Sequence, residues 1–278
     1  MAVPEKLKHL VEQMPDPDER RMYCTNIDKE KIEAAIAEIA KGGKEYILGL
    51  IDMLGEPGSR EDVKPHYALH CVINYTLITR NEKLRREFCE VLAQELSSNR
   101  SAYIRSYLCQ CLQWAGGEEA VPALGKLLAD QQLSDWASMA LVAIGKGATE
   151  QFLKAWPGSK GRCRLDVIHG LAALAEPAAA AAFREALGDA DREVRIAGGA
   201  GLAKLGDPTA VDLLLAAADK SSGWERIQQT KHCMVLAEKL AAAGKKSEAS
   251  RIYQHLRKTR TDPTEKYIRD AAEKALAS

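Results

Sequence analysis

Two histidines placed one helical turn apart form the arrangement closest to a metal-binding pattern in this sequence. His66 and His70 stand at positions i and i+4, so a helix presents both on one face, as helical zinc sites do. A metal centre needs a third or fourth ligand, yet only Asp62 lies one turn away and no His-Glu dipeptide occurs. The sequence therefore predicts no metal or other cofactor, and His66 and His70 are the residues that would bind one.

A second group of side chains has the chemistry to bind anions. Residues 220–278 contain 13 Lys or Arg against 7 Asp or Glu, whereas residues 1–100 contain 15 against 18. The cationic side chains near the C-terminal end are Lys245, Lys246, Arg251, Arg257, Lys258 and Arg260. One interpretation is a solvated outer helix face. The other is a binding site for an acidic protein segment or a phosphate-bearing ligand, which salt would weaken.

The remaining chemistry-bearing patterns are better explained by structure. The sequence from Gly198 to Gly201 lies inside a helical pattern, so its glycines predict a close helix contact and not a phosphate loop. The formal net charge is +0, with 39 basic and 39 acidic side chains. Non-specific nucleic-acid binders are usually basic, so nucleic acid is an unfavoured partner.

An apolar column predicts the elements that position these residues. Six positions at offsets 0, 3, 4, 7, 8 and 11, which together form one face of an α-helix, recur four times at intervals of about 30 residues. The copies begin at Ile104, Leu133, Cys163 and Val194, and they include Leu108, Leu141, Leu171 and Leu202 at offset 4 or 8. A period of this length with two helices per unit is typical of an α-solenoid. The predicted fold is all-α, a superhelix of stacked antiparallel helix pairs.

The joints between the two helices of each copy support this reading. Gly116, Gly145 and Gly206 suit the left-handed residue that closes a helix. Pro177 and Pro208 stand where the second helix would begin, at a position that tolerates a missing N–H.

Four segments are predicted, arranged as one continuous solenoid. They are an irregular N-terminal segment (1–27), two longer divergent helical hairpins (28–98), four regular repeats (99–219), and a C-terminal hairpin with a capping helix (220–278). The break in the first segment is predicted from Pro15, Asp16, Pro17 and Asp18.

The cysteines and the N-terminus bear on location. Cys111 and Cys163 fall in the apolar column, where a small thiol fills space in the core. Free buried thiols fit a reducing compartment, and the sequence has neither a signal-peptide pattern nor a long apolar span. We therefore expect a cytoplasmic protein without a membrane partner.

The stretch from Asp191 to Val211 resembles a HEAT repeat, in particular the bacterial PBS-lyase-like form with an Asp-x-x-Val-Arg start and a Gly-Asp joint. Arg105 and Arg164 occupy the place of Arg195 in two other copies, and Ser134 replaces the arginine in one. The resemblance implies that these arginines tie adjacent repeats together through an acidic neighbour. A second, shorter stretch, residues 237–256, resembles a tetratricopeptide hairpin.

HEAT-repeat proteins are mostly scaffolds, so the resemblance implies a non-enzymatic protein-interaction module whose partner is another, unidentified protein. Two alternatives stay open. One is a ligand- or metal-binding enzyme on a HEAT-like scaffold, lyase-like or hydroxylase-like. The other is nucleic-acid binding through the basic C-terminal end.

Overall fold

The described residues form α-helices over about three quarters of the chain, as predicted. A computed structural model describes residues 3–20, 23–56 and 62–277, and it divides the chain into two compact units, residues 1–151 and 152–278. The described residues of the first unit form α1 (Glu5–Val11), α2 (Lys29–Lys41), α3 (Gly43–Asp52), α4 (Val63–Ile78), α5 (Glu82–Glu95), α6 (Ala102–Ala115), α7 (Val121–Leu127) and α8 (Ser134–Ile144). The helix α9 (Ala148–Ala155) contains the boundary between the units.

The second unit continues with further helices. These are α10 (Gly161–Leu174), α11 (Ala180–Ala186), α12 (Arg192–Leu205), α13 (Val211–Lys220), α14 (Gly223–Ala242), α15 (Lys246–Thr259) and α16 (Lys266–Leu276). Within each unit the first helix of a pair packs on the first helices of the neighbouring pairs and on the second helix of the preceding pair, as α12 does with α10, α14 and α11. This is the packing of an α-solenoid, so the predicted fold class is confirmed.

The predicted apolar column forms the core. Leu108, Leu141, Leu171 and Leu202 are fully buried on α6, α8, α10 and α12. A helix exposes one stripe and buries the opposite one, so a repeat of offsets 0, 3, 4, 7 and 8 places these side chains against neighbouring helices. Each fully buried leucine stabilises the fold by about 1.5–3 kcal/mol through removal of apolar surface from water.

The joints confirm most, but not all, of the predicted helix endings. Gly145 and Gly206 have φ angles of 73° and 70°, a backbone conformation that side chains with a Cβ disfavour. The prediction for Gly116 is wrong, because its φ of −64° is an ordinary extended value. In the third copy Ala175 takes the left-handed position with φ 51°, despite its Cβ.

The second helices begin as predicted at the prolines. Pro177 and Pro208 each start a short 3₁₀ turn, Pro177–Ala179 and Pro208–Ala210, immediately before α11 and α13. The Asp207 side chain accepts a hydrogen bond from the backbone N–H of Thr209, which satisfies a donor that the turn leaves free.

The N-terminal segment is more ordered than predicted. The helix α1 buries Leu7 and Leu10 and packs on α2, α3 and α4. Beyond it, β1 (Asp16–Pro17) pairs with β2 (Cys24–Thr25) in an antiparallel two-residue ladder. The helix break at the Asp-Pro sequence is present, but residues 5–11 are helical and not irregular.

The glycines of α12 permit close helix packing, as predicted. A Cβ on Gly198 would lie 2.7 Å from the Cβ of Ala186, and one on Gly201 would lie 2.4 Å from the Phe183 ring, both on α11.

No helix in the described part of the chain is both long and apolar enough to cross a membrane.

Candidate binding surface on the C-terminal hairpin

The first predicted histidine is held by neighbours inside its own unit. His66 Nε2 lies 3.1 Å from Asp62 Oδ2, and the Tyr107 ring meets the imidazole edge to face with centroids 4.3 Å apart. The Tyr107 hydroxyl donates to the His66 carbonyl at 2.9 Å. Burial lowers the pKa of His66 and outweighs the opposing effect of Asp62, so the ring is neutral at neutral pH.

The second histidine has different partners. His70 Nε2 lies 2.9 Å from Asn74 Nδ2, and its ring meets Trp114 edge to face at 4.4 Å. Burial lowers the pKa of His70 as well. Among residues 3–20, 23–56 and 62–277, no group of three or more His, Cys, Asp or Glu side chains converges as metal ligands would. His66 and His70 therefore pack against aromatic rings, and within these ranges no set of further metal ligands joins them.

The repeated arginines have the contacts that the resemblance implied. Arg195 forms a two-bonded pair with Glu225, Nε to Oε1 and Nη2 to Oε2 at 2.7 Å each, and also donates to the carbonyls of Asp189 and Ala190. The hydrogen bond from Arg195 lowers the pKa of Glu225 more than burial raises it. Glu225 belongs to α14, one helix pair further along, so this arginine ties adjacent repeats.

The equivalent arginines repeat this contact. Arg164 Nε lies 2.6 Å from Asp189 Oδ2, its Nη2 lies 3.0 Å from Glu185 Oε1, and its guanidinium stacks 3.6 Å over the Trp156 ring. In the first unit Arg105 Nε donates to the Leu96 carbonyl at 3.0 Å, and its Nη2 lies 3.5 Å from Asp130 Oδ2.

Most charged side chains that line the cavities beside these pairs already have partners. A pocket of about 320 Å³ in the second unit lies against Arg195, Glu225 and Gln229, and the Gln229 side chain donates to the Arg195 carbonyl. A pocket of about 450 Å³ in the first unit is lined by Arg85 and Glu119, whose charged atoms approach to 2.7 Å. Both pockets lie beside ion pairs that join repeats, and the residues that line them are not arranged as a catalytic site.

The predicted basic cluster is centred on α15. This helix buries Ala249, Ile252, Tyr253 and Leu256 against its neighbours. Its exposed cations are Lys246, Arg251, Arg257 and Lys258, and Lys245 immediately precedes it. The helix contains one carboxylate, Glu248, in its first turn. We call Lys245, Lys246, Arg257 and Lys258 the basic face, because they form no ion pair within the described residues.

Two of the six predicted residues do not belong to this face. Arg251 is exposed but forms an ion pair with Asp212 of α13. The assignment of Arg260 to a binding surface is wrong, because its side chain is 0% exposed. Arg260 Nη1 donates to Asp219 Oδ1 at 2.7 Å and its Nε donates to the Thr230 hydroxyl at 3.1 Å.

The ion pair between Arg260 and Asp219 joins the end of α15 to α13 inside the protein. Asp219 also accepts a hydrogen bond from His255 Nε2 at 2.7 Å. Burial raises the pKa of Asp219, but the hydrogen bonds from Arg260 and His255 outweigh it, so its pKa lies below the usual value. An arginine separated from its acid by 41 residues looks unpaired in the sequence, and only the packing of α13 on α15 reveals the partner.

Helix pairs stacked at a period of about 30 residues define the class of α-solenoid repeat proteins. Within that class, residues 158–233 match the model of the family described as HEAT repeats. Residues 158–233 are thus HEAT repeats, in a match that spans α10 to α13 and part of α14. The match does not single out the bacterial PBS-lyase-like form, which stays a prediction, as does the tetratricopeptide resemblance of residues 237–256.

Several solved structures match this chain at low sequence identity. An engineered protein shows 17% identity and a TM-score of 0.49, over 98% of this chain and 77% of that one. An archaeal HEAT-like repeats protein from Thermococcus onnurineus NA1 shows 13% identity and a TM-score of 0.37, over 91% and 99%. Human deoxyhypusine hydroxylase, solved with glycerol, shows 16% identity and a TM-score of 0.33, over 98% and 95%. No curated protein matches the sequence.

Proposed function

We propose that this HEAT-repeat protein is a non-enzymatic scaffold whose basic face binds an acidic segment of a partner protein. The observation that supports this is the charge distribution on α15, where the cations without ion-pair partners are all exposed and the sole carboxylate of the helix lies in its first turn. Elsewhere in the second unit Arg164 and Arg195 of the repeat column are paired with carboxylates. Uncompensated charge on an otherwise neutral protein attracts a segment of opposite sign.

The spacing of the cations suits an extended peptide. Lys246 and Arg257 are eleven residues apart, so they point to the same side of α15 at a separation of about 16 Å along its axis. An extended segment covers that distance with about five residues, since each adds about 3.3 Å. Lys258 lies one position beyond Arg257 and widens the face. A peptide with carboxylates at alternate positions can therefore contact these cations together.

A synthetic peptide of alternating Glu and Gly tests the proposal by fluorescence anisotropy. The variant Lys246→Glu/Arg257→Glu/Lys258→Glu should bind about ten- to a hundredfold more weakly, because each exposed charge contact contributes about 0.5–1 kcal/mol. Its matched control is Lys29→Glu/Lys31→Glu/Lys83→Glu, which changes the net charge equally at exposed positions of α2 and α5. The control should retain the wild-type affinity within about threefold.

Three results would contradict the proposal. The wild-type protein could fail to bind the peptide, the two triple variants could lose affinity equally, or a single-stranded oligonucleotide or inorganic triphosphate of matched charge could displace the peptide at a lower concentration than the free peptide does. Equal loss would show that only net charge matters. Preferential displacement would assign the basic face to a nucleic-acid or phosphate ligand.

A further inference from the structure

Three neighbouring helices of the first unit are nearly free of charge. The helices α4, α6 and α8 contain 16, 14 and 11 residues, and each has one charged side chain, Lys64, Arg105 and Asp135 respectively. The helix α6 packs on both α4 and α8, so the three lie side by side. By contrast, seven of the 14 residues of α5 are charged. These three helices are thus poor in charge, whereas the neighbouring α5 is rich in it.

Large apolar side chains are exposed on these same helices. Ile78 is 80% exposed, Tyr103 41%, Trp114 40% and Met139 37%. We call these four residues of α4, α6 and α8 the uncharged face. The half-buried His70 of α4 lies beside this uncharged face, because its ring contacts the ring of Trp114.

The charges of the three helices are held near their N-terminal ends. Lys64 Nζ lies 3.0 Å from Asp16 Oδ1 and 3.3 Å from Glu12 Oε2. Arg105 is bound to the Leu96 carbonyl and faces Asp130. Asp135 lies in the first turn of α8 and is half-buried. Ile78 and Trp114, near the opposite ends of α4 and α6, therefore have no charged residue of their own helices within two turns.

This composition is that of the core of a protein–protein interface. Interface cores are depleted in charged residues and enriched in Trp, Tyr and Met, whereas contiguous exposed apolar patches are uncommon on monomers. Three helices about 10 Å wide and about 24, 21 and 17 Å long present roughly 600 Å², about three quarters of the 800 Å² that one partner contributes to a standard interface.

We propose that the uncharged face pairs with the same face of a second copy of this chain, forming a two-fold symmetric dimer. A two-fold axis brings each surface opposite itself, so a strongly charged face would meet like charges, whereas the four residues of this face carry none. The net charge of +0 removes long-range repulsion between copies as well. The proposal is independent of the basic face, which lies in the other unit.

Sedimentation equilibrium of the full-length chain tests this assignment. The wild-type protein should be dimeric over about 10 to 300 µM, the range in which a standard interface of modest affinity associates. The variant Ile78→Lys/Met139→Lys should raise the dimer dissociation constant at least about tenfold, because it places like charges across the symmetry axis. The matched control is Trp224→Lys/Ile227→Lys, which adds the same charge at two apolar residues of the second unit that are 54% and 49% exposed.

The control should dimerise like the wild type. A monomeric wild-type protein throughout this range, or a control variant that dissociates as readily as Ile78→Lys/Met139→Lys, would overturn the proposal. Circular dichroism melting establishes that both variants are folded. Should the double variant unfold, Ile78→Lys alone replaces it, since Ile78 is the most exposed of the four residues. Its failure to weaken the dimer would equally count against the uncharged face.

Discussion

At the scale of single residues, the arginine column shows how one side chain can link repeats. Arg164 and Arg195 reach carboxylates 25 and 30 residues further along the chain. The planar guanidinium binds two carboxylate oxygens at once and still donates to backbone carbonyls near a helix start. The same arginine therefore holds the loop that precedes its own helix and also binds the next hairpin.

His232 is a second residue with a structural consequence, and it makes stability depend on pH. It is buried on α14, where its Nδ1 lies 3.3 Å from Gln229 Oε1. Burial lowers the pKa of His232 to about 4, and Lys231 and Lys204 act in the same direction. Gly199 of α12 lies directly opposite, because a Cβ there would come within 2.9 Å of the imidazole.

The free energy of unfolding should therefore fall on acidification between about pH 6.5 and 4. In this range the unfolded chain protonates His232 and the folded chain does not, so protons favour the unfolded state by up to about 3 kcal/mol. The measurement is urea denaturation at a series of pH values. The variant His232→Gln should lose this part of the slope, while His66 and His70 contribute equally to both proteins. An unchanged slope in the variant would show that His232 does not contribute.

At the scale of elements, the glycines of α12 set how closely α11 can approach. Gly201→Ala should destabilise the protein by about 1–3 kcal/mol, because its Cβ would lie 2.4 Å from the fully buried Phe183 ring. The control is Gly125→Ala on α7, where the new Cβ meets only the end of the flexible Gln151 side chain. Alanine is the better helix former by about 1 kcal/mol, so the control should be neutral or stabilising. Equal effects in chemical denaturation would contradict this account of the helix contact.

The sequence was sufficient to predict the helix pairs, because their signals are local and repeat. The buried positions of α6, α8, α10 and α12 follow from a 3.6-residue period, and the start of α13 follows from the Asp207-Pro208 pair. A pattern of apolar residues that is weak in one repeat still predicts a helix when the same pattern recurs at the same spacing in the next repeats.

Other features escaped prediction because they depend on tertiary packing. Ala175 adopts a left-handed conformation where glycine is expected, and Gly116 does not need one. Arg260 is buried because α13 supplies Asp219, and a list of cations along α15 gives no sign of this. The uncharged face is visible in the sequence as three helices with few charges, yet which of their residues are exposed depends on how the helices pack.

At the scale of the whole molecule, two proposed surfaces of opposite chemistry belong to different units. The basic face would bind through charge and the uncharged face through apolar contact. A dimer carries two copies of the basic face, so a partner with two acidic segments gains affinity once its linker can span them. The two surfaces should also respond differently to the solvent, which allows them to be measured apart in one protein.

Raising sodium chloride from about 50 to 500 mM should separate the two surfaces. The affinity for the acidic peptide should fall at least about tenfold, because exposed charges are screened over about 4 Å at the higher concentration. The dimer dissociation constant should change by less than about threefold, since apolar burial is not screened. Anisotropy and sedimentation equilibrium on the same samples measure both constants. An affinity for the peptide that does not change with salt would contradict the charge-based role of α15. A dimer that dissociates in salt would show that charged groups hold the two copies together, and not the apolar residues of the uncharged face.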